Sequence, residues 1–347
     1  MTLKLDIINP LNHSGWDDSL TSLPGYNFFY SSAWAKVLAE SYQYKPTYFT
    51  LTDSHNLLAI IPVMEINNIF LGRRGVSLPF TDYCEPIANE ISLFKEIFNR
   101  ISAYGKKRKW KFFELRGGGT FLDNTPSACY YFGHTVDLSQ GENHIFSRFR
   151  DSTKRNIKKA ISAGVEVKIC NSLESIIEFY RLNCMTRKRH GLPPQPYHFF
   201  KKVYDHVISK DLGVAVLASF FHESAIAGAV FFHFGEKAVF KYGASDTTYQ
   251  NLRGNNLVMW EAIKWYCKRG YKSMCLGRTE PENLGLKQFK IGWGAQERII
   301  NYYRYDLGKG TFVKDSPHLM GSYKNLLQKI PIPLLKMVGL IMYRHVG

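Results

Sequence analysis

The chain has 347 residues, with 45 Lys and Arg against 29 Asp and Glu, a formal charge of +16. Hydrophobic residues make up 45% and charged residues 21%, which excludes a disordered chain, and the length allows two domains. The basic excess points to an anionic partner: RNA, a phosphorylated glycan precursor or an acidic membrane surface.

The six cysteines show no C-x-x-C spacing and several lie in apolar runs, so free thiols in a reducing compartment and no metal site are expected. The histidines form no ligand-spaced cluster. Met1–Asp6 lacks the apolar core of a signal peptide, and no run is long enough to span a bilayer. A cytoplasmic location is expected.

Residues 1–25 read as a strand and a polar loop. A helix follows over Ala33–Tyr42, capped by Ser31 or Ser32. Pro46–Thr52 and Leu57–Ile66 read as two strands of a hairpin with a turn at Asp53–Asn56. Gly72–Pro86 is rich in Pro and aromatics and reads as an ordered loop, the kind that carries function. Asp82 there is either a base that orients or deprotonates an amine, or the aspartate of an Asx turn, and Tyr83 lines the same wall. Ile91–Gly105 is a helix whose C-terminal end carries Lys106–Lys109, read either as a solvated turn or as a phosphate contact. Trp110–Leu115 and Ala128–Asp137 are strands around Gly117–Gly119, which no Gly-Lys-Ser/Thr follows, so it is not a P-loop. The first domain is assigned to 1–143.

The second domain, 144–310, opens on a basic amphipathic helix over Lys154–Ala163, where Lys154 and Arg155 either grip a phosphate or form a soluble face. Val165–Cys170 is a strand and Leu173–Arg187 a helix, running into a proline-stiffened loop to Tyr197 that offers Arg187 or Arg189 to an anion. Gly213–Phe221, Ala225–Phe234 and Lys237–Gly243 form a three-stranded meander with a turn at His222–Ser224, and Tyr242 is a candidate substrate contact. Polar residues 245–254 lead into a helix over Asn255–Lys268, where Arg253 and the exposed N–H groups suit an anion. Glu297–Asp306 is a last strand. The tail, 311–347, either packs on the first domain or lies on an anionic leaflet.

Between Lys272 and Gly294 a short strand gives way to Leu276-Gly-Arg-Thr-Glu-Pro-Glu-Asn-Leu-Gly-Leu-Lys-Gln-Phe-Lys-Ile-Gly-Trp-Gly294. Glycine at this density marks turns or close backbone approach. Phe289 and Trp293 flank Lys290, which reads either as a desolvated ammonium presented to a substrate oxygen or as a surface lysine after a turn. The pattern Gly-Leu-x-x-Phe-Lys-x-x-Trp-Gly after Leu-Gly-Arg resembles the FemABX family of aminoacyl-tRNA-dependent transferases. It is also similar to FemAB-like and CelD-like acetyltransferases of the GNAT superfamily. The aromatic-Ser-x-x-Trp opening near residue 31 and Thr-Lys-Arg-Asn-Ile-x-Lys-Ala at 153–160 add to the resemblance, which covers about residues 26–306.

The resemblance implies an α/β fold of mixed sheets with two GNAT-like domains in tandem. It implies an acyltransferase that forms an amide without a covalent enzyme intermediate, Lys290 stabilising the oxyanion and Asp82 lying beside the acceptor. Phe289, Trp293, Tyr83, Arg155, Arg187, Arg189, Tyr242, Arg253 and Arg278 are the candidate substrate contacts. The donor it implies is aminoacyl-tRNA and the acceptor an amine of a peptidoglycan precursor. An acyl-coenzyme A donor, such as acetyl-CoA, with an amino sugar or surface glycan as acceptor is the alternative. In GNAT enzymes the helix start near Arg253 binds pyrophosphate through a glycine-rich loop, of which only Arg253 and Gly254 are kept. A non-catalytic RNA- or membrane-binding module is a third reading. No cofactor or metal is expected.

Overall fold

A computed structural model describes residues 3–53, 56–68, 72–221, 224–314 and 324–346. The turns expected at Asp53–Asn56 and His222–Ser224 fall partly outside the described residues. The chain divides into two units. One comprises residues 1–131, 299–317 and 342–347; the other comprises 132–298 and 318–341.

In the first unit β1 (Leu3–Ile8) pairs antiparallel with β2 (Pro46–Asp53), and β2 with β3 (Asn56–Asn68). Helices α1 (Trp16–Thr21) and α2 (Ser32–Tyr42) lie between β1 and β2 in sequence. Ser31 caps α2, its hydroxyl accepting from the amide of Trp34, as the sequence suggested. A proline in mid-sheet would cost a ladder bond, yet Pro62 sits inside β3. On the edge away from β2, residues 59–60 pair with β5 (Ile87–Ala88) and residues 64–68 with β4 (Gly72–Val76). Pro62 falls between those two ladders, so its missing N–H costs little there. The start of the expected loop at 72–86 is thus the strand β4, held by β3 and, in parallel, by β6 (Phe112–Arg116).

Helix α3 (Ile91–Lys107) buries Leu93, Phe94, Ile97 and Ile101, spaced to form one face, against the core around Phe49, Ile61 and Phe113. The basic run after it is structural at one position: Arg108 makes a two-pronged ion pair with Glu65, at 2.8 and 2.9 Å.

The second unit begins within β7 (Cys129–Asp137). Two helices, α4 (Gly141–Ser147) and α5 (Asp151–Ser162), lead to β8 (Val165–Cys170). After α6 (Leu173–Arg189) and α7 (Tyr197–His206) come β9 (Gly213–Phe220), β10 (Ala225–Phe234) and β11 (Lys237–Ser245), then α8 (Gly254–Lys268) and β12 (Ser273–Thr279). Its strands run in the order β7-β12-β11-β10-β9-β8. Every residue of β10 is buried, because β9 and β11 take its edges and helices take both faces; a strand covered twice reads as an unbroken apolar run, as Ala225–Phe234 does. On one face α8 supplies Leu257, Val258 and Ile263, and on the other Phe179, Phe199 and Phe200 gather round Tyr242.

After α9 (Leu284–Ile291), β13 (Gln296–Asp306) passes into the first unit, where it pairs antiparallel with β6 and with β14 (Thr311–Val313). The tail forms α10 (Lys324–Lys329) and α11 (Ile332–Val346). Residues up to 341 belong with the second unit and the last turn with the first, where Arg74 donates to the carbonyls of His345 and Val346.

Candidate active site

Strands β11 and β12 run parallel but pair only over Lys237–Val239 and Ser273–Cys275. Beyond that β11 continues to Ser245 and β12 to Thr279 without a mutual ladder. Both strands also carry irregularities there. Lys241 is the extra residue between Phe240 and Tyr242 in the pairing with β10. On β12 the register with β7 shifts between Cys275 and Arg278, at Gly277 with φ of 72°. Two bulges at one end of a parallel pair turn the strands apart and leave backbone groups for a ligand.

The glycine-rich stretch after β12 folds into α9, capped by Asn283, whose side chain accepts from the amide of Leu286. Glycines 292 and 294 serve the close approach that the sequence suggested: a Cβ on Gly292 would lie 2.6 Å from the Thr153 hydroxyl, and one on Gly294 3.1 Å from Arg148. Lys290 ends α9. It is 2% exposed, and its ammonium donates to the carbonyls of Gly277 at 3.1 Å and Arg278 at 2.8 Å. The lysine therefore ties α9 to the bulge of β12, just where β12 leaves β11. Trp293 is fully buried, edge-on to Phe149 and Phe289.

Sequence reasoning passed over the neighbours of Lys290. His134 of β7 is fully buried, its Nε2 lies 3.1 Å from a Glu297 carboxylate oxygen, and its Nδ1 has no partner. Burial first, and then the Lys290 ammonium, push the imidazole below its ordinary range, against the pull of Glu297. The other Glu297 oxygen takes the Lys287 ammonium at 2.9 Å, and that ammonium also lies 3.6 Å from the centre of the Phe132 ring. A lone histidine on a strand has no spacing signal, and Glu297 is 163 residues away in sequence.

A cavity of about 480 Å3 opens at the start of α8, where β11 ends. Arg150, Ser152, Arg253, Asn256 and Phe289 are among its lining. Arg253 takes the left-handed conformation, φ 58°, and its Nε is buried without a partner. The start of a 15-residue helix and two arginines, against the single carboxylate of Asp246, give this wall a positive balance of charge.

Of the expected contacts, Arg253 and Phe289 thus share one cavity. The Arg278 carbonyl holds Lys290. Arg155 is exposed on α5, while its neighbour Lys154 donates to the Ser147 carbonyl. Arg187 reaches the Pro193 carbonyl at 3.4 Å, and Arg189 is exposed at the end of α6. Tyr242 is half-buried in its aromatic cluster. Asp82 and Tyr83 belong to the first unit: Tyr302 donates to the Asp82 carbonyl at 2.8 Å, and Tyr83 packs with Phe29 and the cluster of Tyr131, Ile300 and Tyr302. All six cysteines are free thiols. Among the described residues no His, Cys, Asp or Glu group is arranged for a metal.

Residues 147–290, the segment from α4 to Lys290, match the family model of the acetyltransferase (GNAT) domain. The fold is two GNAT-like units in tandem. The crystal structure of FemX has a TM-score of 0.69 to this chain at 12% identity, over 86% of this chain and 96% of that one. A tandem GNAT protein from the clavulanic acid biosynthesis pathway gives 0.53 at 7% identity, over 88% and 99%. The C-terminal domain of a putative lysylphosphatidylglycerol synthetase from Agrobacterium fabrum gives 0.52 at 12%, over 82% and 90%. No curated protein matches the sequence. At such identities the likeness is one of fold, and the ends of β11 and β12 that lack a mutual ladder, with the α8 cavity beside them, fall inside the GNAT-matched segment.

Proposed function

We propose that the protein forms an amide by moving an aminoacyl group from an aminoacyl-tRNA to an amine of an anionic cell-wall precursor. The observation that carries the transfer chemistry is the Lys290 ammonium, buried and anchored on β12 where it parts from β11. The amine nitrogen attacks the ester carbonyl, a C–N bond forms, and the C–O bond to the ribose breaks. Negative charge gathers on the carbonyl oxygen in between. A cation fixed before the substrate arrives stabilises that charge without reorganising, an effect of about 3 kcal/mol for one such group.

Two groups are proposed for the amine proton. His134, held neutral by burial and the Lys290 ammonium and oriented by Glu297, is one. Asp82 is the other. The proton ends on the departing ribose hydroxyl. An aminoacyl donor is supported by the fold likeness to FemX and to a lysylphosphatidylglycerol synthetase domain, and by the +16 charge, which suits a polyanion.

The α8 cavity favours a second reading, an acyl-coenzyme A donor and an amino-sugar or glycan acceptor. Arg150, Arg253 and the first amides of α8 suit a pyrophosphate, and the breaking bond is then C–S. Incubating the purified protein with labelled aminoacyl-tRNA or acyl-CoA and an amine-bearing muropeptide or amino sugar separates the two. Amide product from the charged tRNA is expected. Product from the thioester alone selects the second reading, and product from neither overturns both.

A further inference from the structure

Helix α11 is apolar on two opposite faces. One packs inward through Leu335, fully buried, and Tyr343, 8% exposed. Gly339 lies on that side so close that a Cβ there would come within 2.1 Å of the Pro194 carbonyl oxygen. The other face carries Leu334, Met337, Leu340 and Ile341, exposed by 53, 62, 56 and 69%. Residues 334, 337, 340 and 341 follow i+3 and i+4 spacing, so the four side chains share one outward stripe. Four large aliphatic groups left in water on fifteen residues are not an ordinary surface helix.

The charges around the stripe have one sign. After Asp315 the sequence has no acidic residue, while Lys324, Lys329, Lys336 and Arg344 punctuate the tail. Lys336 and Arg344 are exposed on α11 itself and Lys329 on α10. Gln328 of α10 donates to the Arg189 carbonyl, which brings the basic last turn of α6, Arg187 to Arg189, alongside. No helix in the described residues is long and apolar enough to cross a membrane. An apolar stripe bordered by cations fits a surface with a hydrocarbon interior and anionic headgroups. A second copy of this chain would set the same cations against each other.

We propose that α11 is a membrane-surface helix, laying Leu334, Met337, Leu340 and Ile341 into the headgroup boundary of an anionic bilayer while its buried face stays on the protein. The inference is independent of the transfer chemistry. The test is co-sedimentation of the full chain with phosphatidylcholine vesicles, with and without phosphatidylglycerol. Binding to the anionic vesicles is expected, weakening as salt is raised. Leu334→Glu with Ile341→Glu lowers the bound fraction about tenfold. Both sites are exposed, so the thermal midpoint and the mass in solution stay unchanged. The proposal is overturned if wild type stays in the supernatant, if the double variant binds as well as wild type, or if wild type is a dimer that this variant turns into a monomer.

Discussion

Removing the Lys290 ammonium takes the donor from two carbonyls, Gly277 and Arg278, in a buried corner of the second unit. Lys290→Met therefore lowers stability by about 1–3 kcal/mol, read from the urea midpoint. If its charge stabilises the oxyanion, turnover falls about 100- to 1,000-fold as well. A loss of stability with turnover intact in the remaining folded protein makes the lysine structural only. His134 offers a different readout. Its folded imidazole titrates below the unfolded value of about 6.5, so below that pH the unfolded chain binds more protons than the folded one. Stability is thus full above pH ~6.5 and drains as pH falls toward the folded value. His134→Gln flattens part of that slope, seen as a smaller change in urea midpoint between neutral and mildly acid buffer. His233, also pushed down by burial, adds to the same slope. In turnover, whichever of His134→Gln and Asp82→Asn abolishes the acid limb of the pH profile names the base. Lys290 was legible because its neighbours in sequence form a pattern. His134 was not, because Glu297 and Lys290 reach it only through sheet pairing and helix docking.

Elements carry the proposed donor site. Arg253 holds a left-handed backbone that costs an L-residue about 1 kcal/mol. Arg253→Gly relieves that strain and removes the guanidinium. The expected result is an unchanged or higher melting temperature with a donor KM raised about tenfold. A fall in both affinity and stability would instead make the arginine a structural cap. Most strands and helices of the second unit were readable, since β10 and α8 have unambiguous apolar patterns. The bulges of β11 and β12 were not: each is defined by its partner strand's register, which residues 225–245 and 273–279 do not state locally. Helix α9 was hidden by the glycines in and after it, which read as turns: Gly285 inside it meets nothing within 4 Å, while Gly292 and Gly294 just beyond it lie against the Thr153 side chain and Arg148.

At the scale of the whole molecule, a chain of charge +16 attracts either anionic donor, and the salt dependence of binding separates the two. A tRNA donor engages many phosphates and releases their counterions, so its KM rises steeply with salt, by about 1,000-fold between 50 and 200 mM if six or more phosphates are contacted. A coenzyme A donor brings few phosphates and shows a shallow dependence. Measuring KM across that range decides between them without any variant. The tandem arrangement was visible from the sequence through the motifs near residues 31, 153 and 290. The boundaries of the units were harder to read, because β13 serves the first unit although it is encoded after the second.

That interleaving reaches back to synthesis. As the chain leaves the ribosome, residues 112–116 of β6 wait for an edge partner until residues 302–306 have been made, by which time nearly the whole second unit has emerged. A fragment cut at residue 143 lacks that strand and also His345 and Val346, whose carbonyls receive Arg74. Expressed alone it should give poorly dispersed amide resonances and fast hydrogen exchange in the 112–116 segment, whereas a well-dispersed, protected spectrum would show that the late strand is dispensable.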